Sequence, residues 1–330
     1  MRVLQVIPGE EHGPAYIFIK RQVDALERAG VALDRFFLES RTSARLLQRE
    51  LHRFKNRVRE YKPDMVHAQY GTMTSFFCMA GWGGPLVVSL RGSDVTRDYD
   101  ISRVREVVGH VLTHISSVRA EGLICVSRNL VDGLWFKSAR RRAVIIPSAV
   151  DIELFKPMPK DEARRALGWG LEEKIAVFNI GRAPARKRLD LAQGAVAVAR
   201  KKYPKLRLAT MNIDVPGDQV PLWMNAGDCL LMTSDAEGSP NVVKEAMACN
   251  LPVVSVDVGD VRERLAGVDP SRIVARDPEA LGAAVIEILD MNRRSNSREA
   301  VVKDLTEDVM VRRVLEVYRD ALSKRGGQHG

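Results

Sequence analysis

The stretch EGSPNVVKEAMACNLPVV, residues 237–254, sets two glutamates eight positions apart with Ser-Pro-Asn between them. CLLMTS (229–234) reads as a strand, and Asp235 to Gly238 as the loop leaving it. Ser239 suits an N-cap and Pro240 the first helical position, so NVVKEAMAC follows as a helix. Asn250 and Pro252 mark its end. On this reading Glu237 belongs to the loop and Glu245 to the second helical turn. The amides between them stand at the positive end of a helix dipole, which suits a phosphate or a sugar hydroxyl. Carboxylates accept paired hydrogen bonds from vicinal diols. Two diol binders flanking an anion site match the layout of a nucleotide-sugar: sugar, diphosphate, ribose.

A second stretch, FNIGRAPARKRLDLA (178–192), fits the same ligand. A strand runs into Gly181 and Arg182, and Lys187 opens the next helix five residues later. Arg182 and Lys187 can meet one phosphate group from a single strand-to-helix turn, the guanidinium as a planar fork. The alternative is a pair of surface cations in a basic loop.

These groups need a scaffold that brings turns together. Strand-like runs occur at 2–7, 33–39, 64–69, 85–90, 122–127 and 143–148, then at 174–180, 206–211, 229–234, 252–257 and 272–275. Amphipathic segments separate them, as in AYIFIKRQVDALERAG. Such alternation predicts α/β architecture with doubly wound parallel sheets. Eleven strands exceed one compact sheet of this kind. The stretch DIELFKPMPKDE (151–162) is the natural junction, giving a Rossmann-like domain over 1–157 and a second over 158–304. A C-terminal helix over 305–324 is expected to pack back on the first domain, ahead of a disordered tail, 325–330. Two such domains facing each other leave a cleft at the carboxyl ends of their strands, where ligands bind.

Bulk composition narrows the classes. The 330 residues are 45% apolar with no run long enough to span a membrane. MRVLQVIPG carries no cleavage-site pattern, so a cytoplasmic protein is expected, or one peripheral on the cytoplasmic face of a membrane. Cys78, Cys125, Cys229 and Cys249 lie scattered in apolar surroundings and read as reduced core thiols. The net charge is +9, and residues 1–157 hold most of it, with 24 Lys+Arg against 17 Asp+Glu. That excess points to an anionic partner, whether a membrane surface, a phosphorylated acceptor or nucleic acid; the alternative is a solvated basic face that improves solubility. No nucleic-acid module is recognisable. No G-x-G-x-x-G follows a strand, which argues against a dinucleotide oxidoreductase.

The chain resembles glycosyltransferase family 4 of the GT-B fold, most strongly from Asp151 to Glu263. Gly181, Arg182, Lys187 and Asp190 match its G-R-x4-K-x2-D motif, and Glu237 to Ala248 match E-G-x-P-x4-E-A-M-A. PVVSVDVGDVRE (252–263) follows, and IPSAVDIELFKP (146–157) is similar to the family's interdomain segment. The resemblance implies a retaining transferase that uses a nucleotide-sugar, UDP- or GDP-linked, as co-substrate, with no cofactor and no bound metal. It assigns the donor diphosphate to Arg182 and Lys187, the ribose hydroxyls to Glu245 and the transferred sugar to Glu237. The backbone around Gly238, Ser239, Pro240 and Asn241 would orient the donor, with Gly181 at the preceding turn.

The chain also departs from the pattern. SLRGSDV (89–95) carries Arg91 where many members carry histidine; a cleft-facing Arg91 would bind the diphosphate or an anionic acceptor. Asp94 would contact an acceptor hydroxyl or cap a loop. His67 is read as acceptor-side or structural. Gly9 and Gly13 fit the first strand-to-helix loop, where Gly13 would approach the donor. Ser148-Ala149 replaces Asn-Gly, and the segment from Met211 to Trp223 is shorter than usual, which leaves the base open. Asp98-x-Asp100 and the His110/His114 pair read as surface or core residues, not a metal site. Expected acceptors are glycans or glycolipids, anionic or lipid-linked, with peripheral membrane contact through the basic first domain. The competing readings are a sugar-nucleotide epimerase of the same fold and a non-catalytic nucleotide-sugar-binding protein.

Overall fold

The computed structural model describes residues 1–12, 16–99, 101–181 and 184–326, the side chains of 325 and 326 excepted. Arg182, Gly13 and Asp100 therefore lie outside the described residues, as does most of the expected tail. The chain divides into two units, one of residues 1–149 with 307–330, the other of 150–306.

The first unit begins with β1 (Arg2–Pro8), α1 (Ile17–Arg28), β2 (Ala32–Leu38) and α2 (Ala44–Tyr61). It continues through β3 (Met65–Ala68), α3 (Thr72–Gly81), β4 (Leu86–Leu90) and α4 (Arg103–Arg119). Then come β5 (Gly122–Cys125), α5 (Arg128–Asp132), α6 (Lys137–Arg142) and β6 (Ala143–Ile145). Its six strands form one sheet in the order β2-β1-β3-β4-β5-β6, with every pairing parallel. Strands β3, β4 and β5 are buried along their whole length, as parallel strands covered on both faces must be.

The second unit opens with α7 (Lys160–Leu167), β7 (Ile175–Gly181), α8 (Pro184–Lys187) and α9 (Leu189–Ala199). β8 (Arg207–Asn212), α10 (Val220–Ala226), β9 (Cys229–Met232) and α11 (Asn241–Ala248) follow. The unit closes with β10 (Val253–Val256), α12 (Val261–Arg264), β11 (Arg272–Val274), α13 (Pro278–Met291) and α14 (Arg298–Asp304). Its sheet has the order β11-β10-β9-β7-β8 and is again all parallel. The first strand, β7, sits between β8 and β9, so the winding direction reverses beside it. The crevice at such a reversal is where α/β sheets hold ligands.

All eleven expected strands are present, within a few residues of their expected limits. The break between units falls between Ala149 and Val150, not after Pro157, because Val150 and Phe155 are buried in the second core.

The last helix, α15 (Glu307–Gly326), belongs to the first unit. Its Val314, Tyr318 and Ala321 are fully buried against Val3, Met65, Val87 and Ile124. A Cβ on Gly122 would lie 2.8 Å from a Val317 methyl, so this close approach of helix to strand requires glycine. The four cysteines are buried and free. Among the described residues, no helix is long and apolar enough to cross a membrane.

Candidate active site

The carboxyl ends of β7 and β9 carry the motif residues of the second unit. Gly181 closes β7 with φ of 51°, just past a register shift at Asn179, and this bulge turns the chain away from the sheet. α8 follows with Arg186 and Lys187, and Arg188 takes a left-handed conformation to start α9. The loop after β9 is tied to this turn. Asp235 N donates to Arg186 O at 2.9 Å, and Thr233 Oγ1 donates to the carbonyls of Lys187 and Arg188.

Those backbone ties bring Lys187 to Glu237. Lys187 Nζ donates to Glu237 Oε1 at 2.7 Å, and Arg186 Nη1 stands 3.3 Å from the same oxygen. Arg186 also donates to Ala236 O. Burial pushes the Glu237 carboxyl up, but Lys187 and Arg186 together pull it below the ordinary range. Glu237 is therefore ionised at neutral pH, an acceptor of hydrogen bonds and not a proton donor. Gly259, at φ 60°, backs this loop: a Cβ there would meet Gly238 O at 2.7 Å. The loop holding Glu237 is thus braced from β10 as well as from β7.

α11 begins at Asn241, and Pro240, not Ser239, occupies the cap position. The Ser239 hydroxyl donates instead to Asp260 Oδ2 at 2.8 Å, which corrects its expected N-cap role. Among the described residues no side chain caps α11, which leaves its first amides without a side-chain acceptor there. Glu245 lies in the second turn, half-buried. Asp190, the last residue of the first motif, holds Arg188 through both carboxylate oxygens. Among the described residues, no group of three or more His, Cys, Asp or Glu side chains could hold a metal ion.

Sequence reasoning missed Arg186, Asp235 and Arg276. Arg276 Nη1 donates to the carbonyls of Thr233 and Ser234 and pairs with Asp235 at 3.0 Å, while Asp235 also meets Arg188. Arg186 was legible within the same basic run as Lys187. Arg276 lies some forty positions downstream in sequence from the loop it holds, and nothing local announces it.

The corresponding edge of the first unit is organised differently. His67 is fully buried. Its Nδ1 lies 2.7 Å from Tyr318 OH, and its Nε2 lies 2.8 Å from Ser89 Oγ. Burial, reinforced by the Arg91 charge, holds it well below the usual histidine range, so the ring is neutral. Gln5 donates to Tyr318 OH and receives a bond from Gln69. This network leaves His67 no ring nitrogen for an acceptor and assigns it a structural place, correcting the acceptor-side reading. Asp94 is also fully buried, and its carboxylate accepts from the amides of Gly71, Arg91 and Gly92. It is a loop anchor, not an acceptor contact.

Arg91 is half-buried; its Nη2 donates to Gln22 at 2.8 Å and to Gln69 at 2.5 Å, with the Phe18 ring 5.7 Å away. Among the described residues its Nε is buried without a partner. Burial lowers its pKa to about 10, which still leaves it cationic at neutral pH. The arginine that replaces histidine in the motif is therefore held by two glutamines inside the first unit.

Comparison with known proteins agrees with these motifs. The family model described as Glycosyltransferase Family 4 matches residues 10–154, and that of Glycosyl transferases group 1 matches 181–291. The D-inositol 3-phosphate glycosyltransferase of Thermobispora bispora is 22% identical over 314 residues, covering 80% of this chain and 73% of that protein. The sucrose-phosphate synthase structure from Thermosynechococcus elongatus superposes with a TM-score of 0.79 at 16% identity, covering 98% of this chain and 99% of the other. Anabaena Alr3699/HepE, solved in complex with UDP-glucose, gives 0.73 at 16% identity over 97% and 99% of the two chains.

Proposed function

The chain belongs to the family 4, group 1 glycosyltransferases of the GT-B fold, and from that premise we propose that it moves a sugar from a nucleoside diphosphate sugar to a glycan, glycolipid or other glycoconjugate, with retention of anomeric configuration. The observation that carries the reading is the Lys187–Glu237 pair beside an uncapped helix N-terminus, at the reversal point of a parallel sheet. Breaking the donor's glycosidic bond leaves negative charge on the departing diphosphate. Lys187, Arg186 and the amides at the start of α11 supply fixed positive charge where that charge develops. On this reading Arg182, outside the described residues, joins Lys187 at the diphosphate.

Glu237 accepts hydrogen bonds from hydroxyls of the transferred sugar. Its exchange of partners is local: the diphosphate competes for Lys187, and the sugar replaces part of that contact at the carboxylate. Glu245, one helical turn further into α11, grips the ribose diol. Both carboxylates are donor binders, so retention proceeds at one face of the sugar without a carboxylate nucleophile. The UDP-glucose held by the Anabaena protein favours a uridine donor, with a guanosine donor as the alternative.

The test is donor turnover. A panel of UDP- and GDP-sugars is incubated with the protein, and release of nucleoside diphosphate is followed with and without acceptor. Transfer with an α-linked product from an α-linked donor is expected. Binding without release, or a sugar isomerised while still attached to its nucleotide, would sink the proposal.

A further inference from the structure

α4 is packed inside out. Its residues Glu106, Thr113, His114, Ser116 and Ser117 are buried, whereas Val104, Val107, Val108, Ile115 and Val118 are between 42% and 76% exposed. At 3.6 residues per turn the five aliphatic residues fall within about 100° of the helix circumference. The orientation is enforced by hydrogen bonds. Thr113 Oγ1 accepts from Thr72 N at 2.7 Å, and Ser116 Oγ lies 2.6 Å from Ser75 Oγ, both reaching across to α3. His110 Nε2 lies 3.1 Å from Thr96 O. Rotating the helix to bury its valines would break this polar inner face. Isolated exposed apolar residues need no explanation, but a continuous stripe marks a contact surface.

The surroundings select the partner. Residues 101–145 hold eight Lys+Arg and three Asp+Glu. Two of those acids are spent locally: Glu106 on Arg103 at 2.9 Å and Glu121 on Arg119 at 2.7 Å. Trp135 stacks on His114 at 4.0 Å, which seats a half-exposed indole at the edge of the stripe, with Phe136 exposed beside it. Arg142 donates to the carbonyls of Ser117 and Val118, so the basic helix α6 abuts the end of α4. Along the opposite edge Val104, Val108 and Leu112 line a cavity of about 500 Å³ that also presents Arg41 and Arg105. A second copy of the chain would set these cations against each other. An anionic lipid surface would neutralise them, take up the aliphatic stripe and accommodate an indole at its headgroup level.

We propose that the outward face of α4, with Trp135, Phe136 and the flanking cations, docks this transferase on an anionic membrane, the 500 Å³ cavity facing the headgroups. The claim rests on α4 and its neighbours and not on the donor site, so a protein that binds vesicles without turning over a donor leaves it standing.

The experiment is co-sedimentation of the full chain with vesicles of phosphatidylglycerol and phosphatidylcholine, against phosphatidylcholine alone. Binding to the anionic vesicles only is expected, weakened by salt, with a blue-shifted tryptophan emission that Trp135→Phe removes. Val107→Asp with Val108→Asp should lower partitioning about a hundredfold, and Arg140→Glu with Arg141→Glu about tenfold. All four positions are exposed, and circular dichroism verifies that each variant folds. Failure of the wild type to bind anionic vesicles, or equal binding by Val107→Asp/Val108→Asp, overturns the proposal. So does a wild-type dimer in solution that this double variant converts to monomer.

Discussion

The two units repeat one plan, a parallel sheet with polar residues at the carboxyl ends of its strands, yet they use those ends in opposite ways. In the first unit Gln5, His67 and Ser89, on adjacent strands, close with Tyr318 of α15 inside the fold, and past β4 Asp94 is consumed by backbone amides. In the second, Lys187 and Glu237 stay partly accessible and pair through their side chains, with Arg186 beside them. A buried polar group must be satisfied by fixed partners, whereas a partly exposed pair can trade its partner for a ligand. Burial thus separates structural from chemical use of similar residue types.

Substitutions on either side sharpen that contrast. The largest effect is expected at Glu237→Gln, which removes the charge that holds Lys187 and Arg186 and, under the proposed function, a hydrogen-bond acceptor for the sugar. We expect a loss of about a thousandfold in kcat/KM with the thermal midpoint nearly unchanged. Asp94→Ala should do the reverse. It strands the buried amides of Gly71, Arg91 and Gly92, at a cost of about 3 kcal/mol in denaturant unfolding, while donor KM in the folded fraction holds. A large KM change there would break the comparison.

Tyr318→Phe is a smaller version of the same test. It deprives His67 Nδ1 and Gln5 Nε2 of a partner, costing about 1.5 kcal/mol in unfolding free energy and loosening α15, read as faster amide exchange in that helix. The smallest effect is on pH dependence. Burial, with the neighbouring His110 charge, lowers His114 from 6.5 to about 4, so the folded chain binds fewer protons than the unfolded one between those values. This contribution is intact above pH 6.5 and is lost as pH falls toward 4. His114→Gln should flatten the midpoint-against-pH curve of the first unit across that window.

Much of this was legible in the residues. Eleven β-branched runs announced eleven strands, because parallel strands buried on both faces carry near-continuous apolar sequence. The motifs carrying Gly181, Lys187 and Glu237 were legible as neighbouring turns of the second unit, because a helix start and a strand end fix where such groups can lie. The cap of α11 was misread: Ser239 has the right chemistry for it, but Asp260, brought over from the loop after β10, claims its hydroxyl. His67 and Asp94 were ambiguous for a similar reason, since their residue types fit two roles and only their partners decide between them.

What the chain by itself determined, then, is local: periodicity, turn chemistry, and the clustering of cations and carboxylates at strand ends. The tertiary structure decided which of those groups are satisfied and which are left to meet a ligand. It also decided that the valines of α4 face outward, because the inner polar partners, Thr72 and Ser75 on α3, belong to another helix. Hydrogen-bond satisfaction and burial are properties of residues distant in sequence and adjacent in space, and no window along the chain contains them.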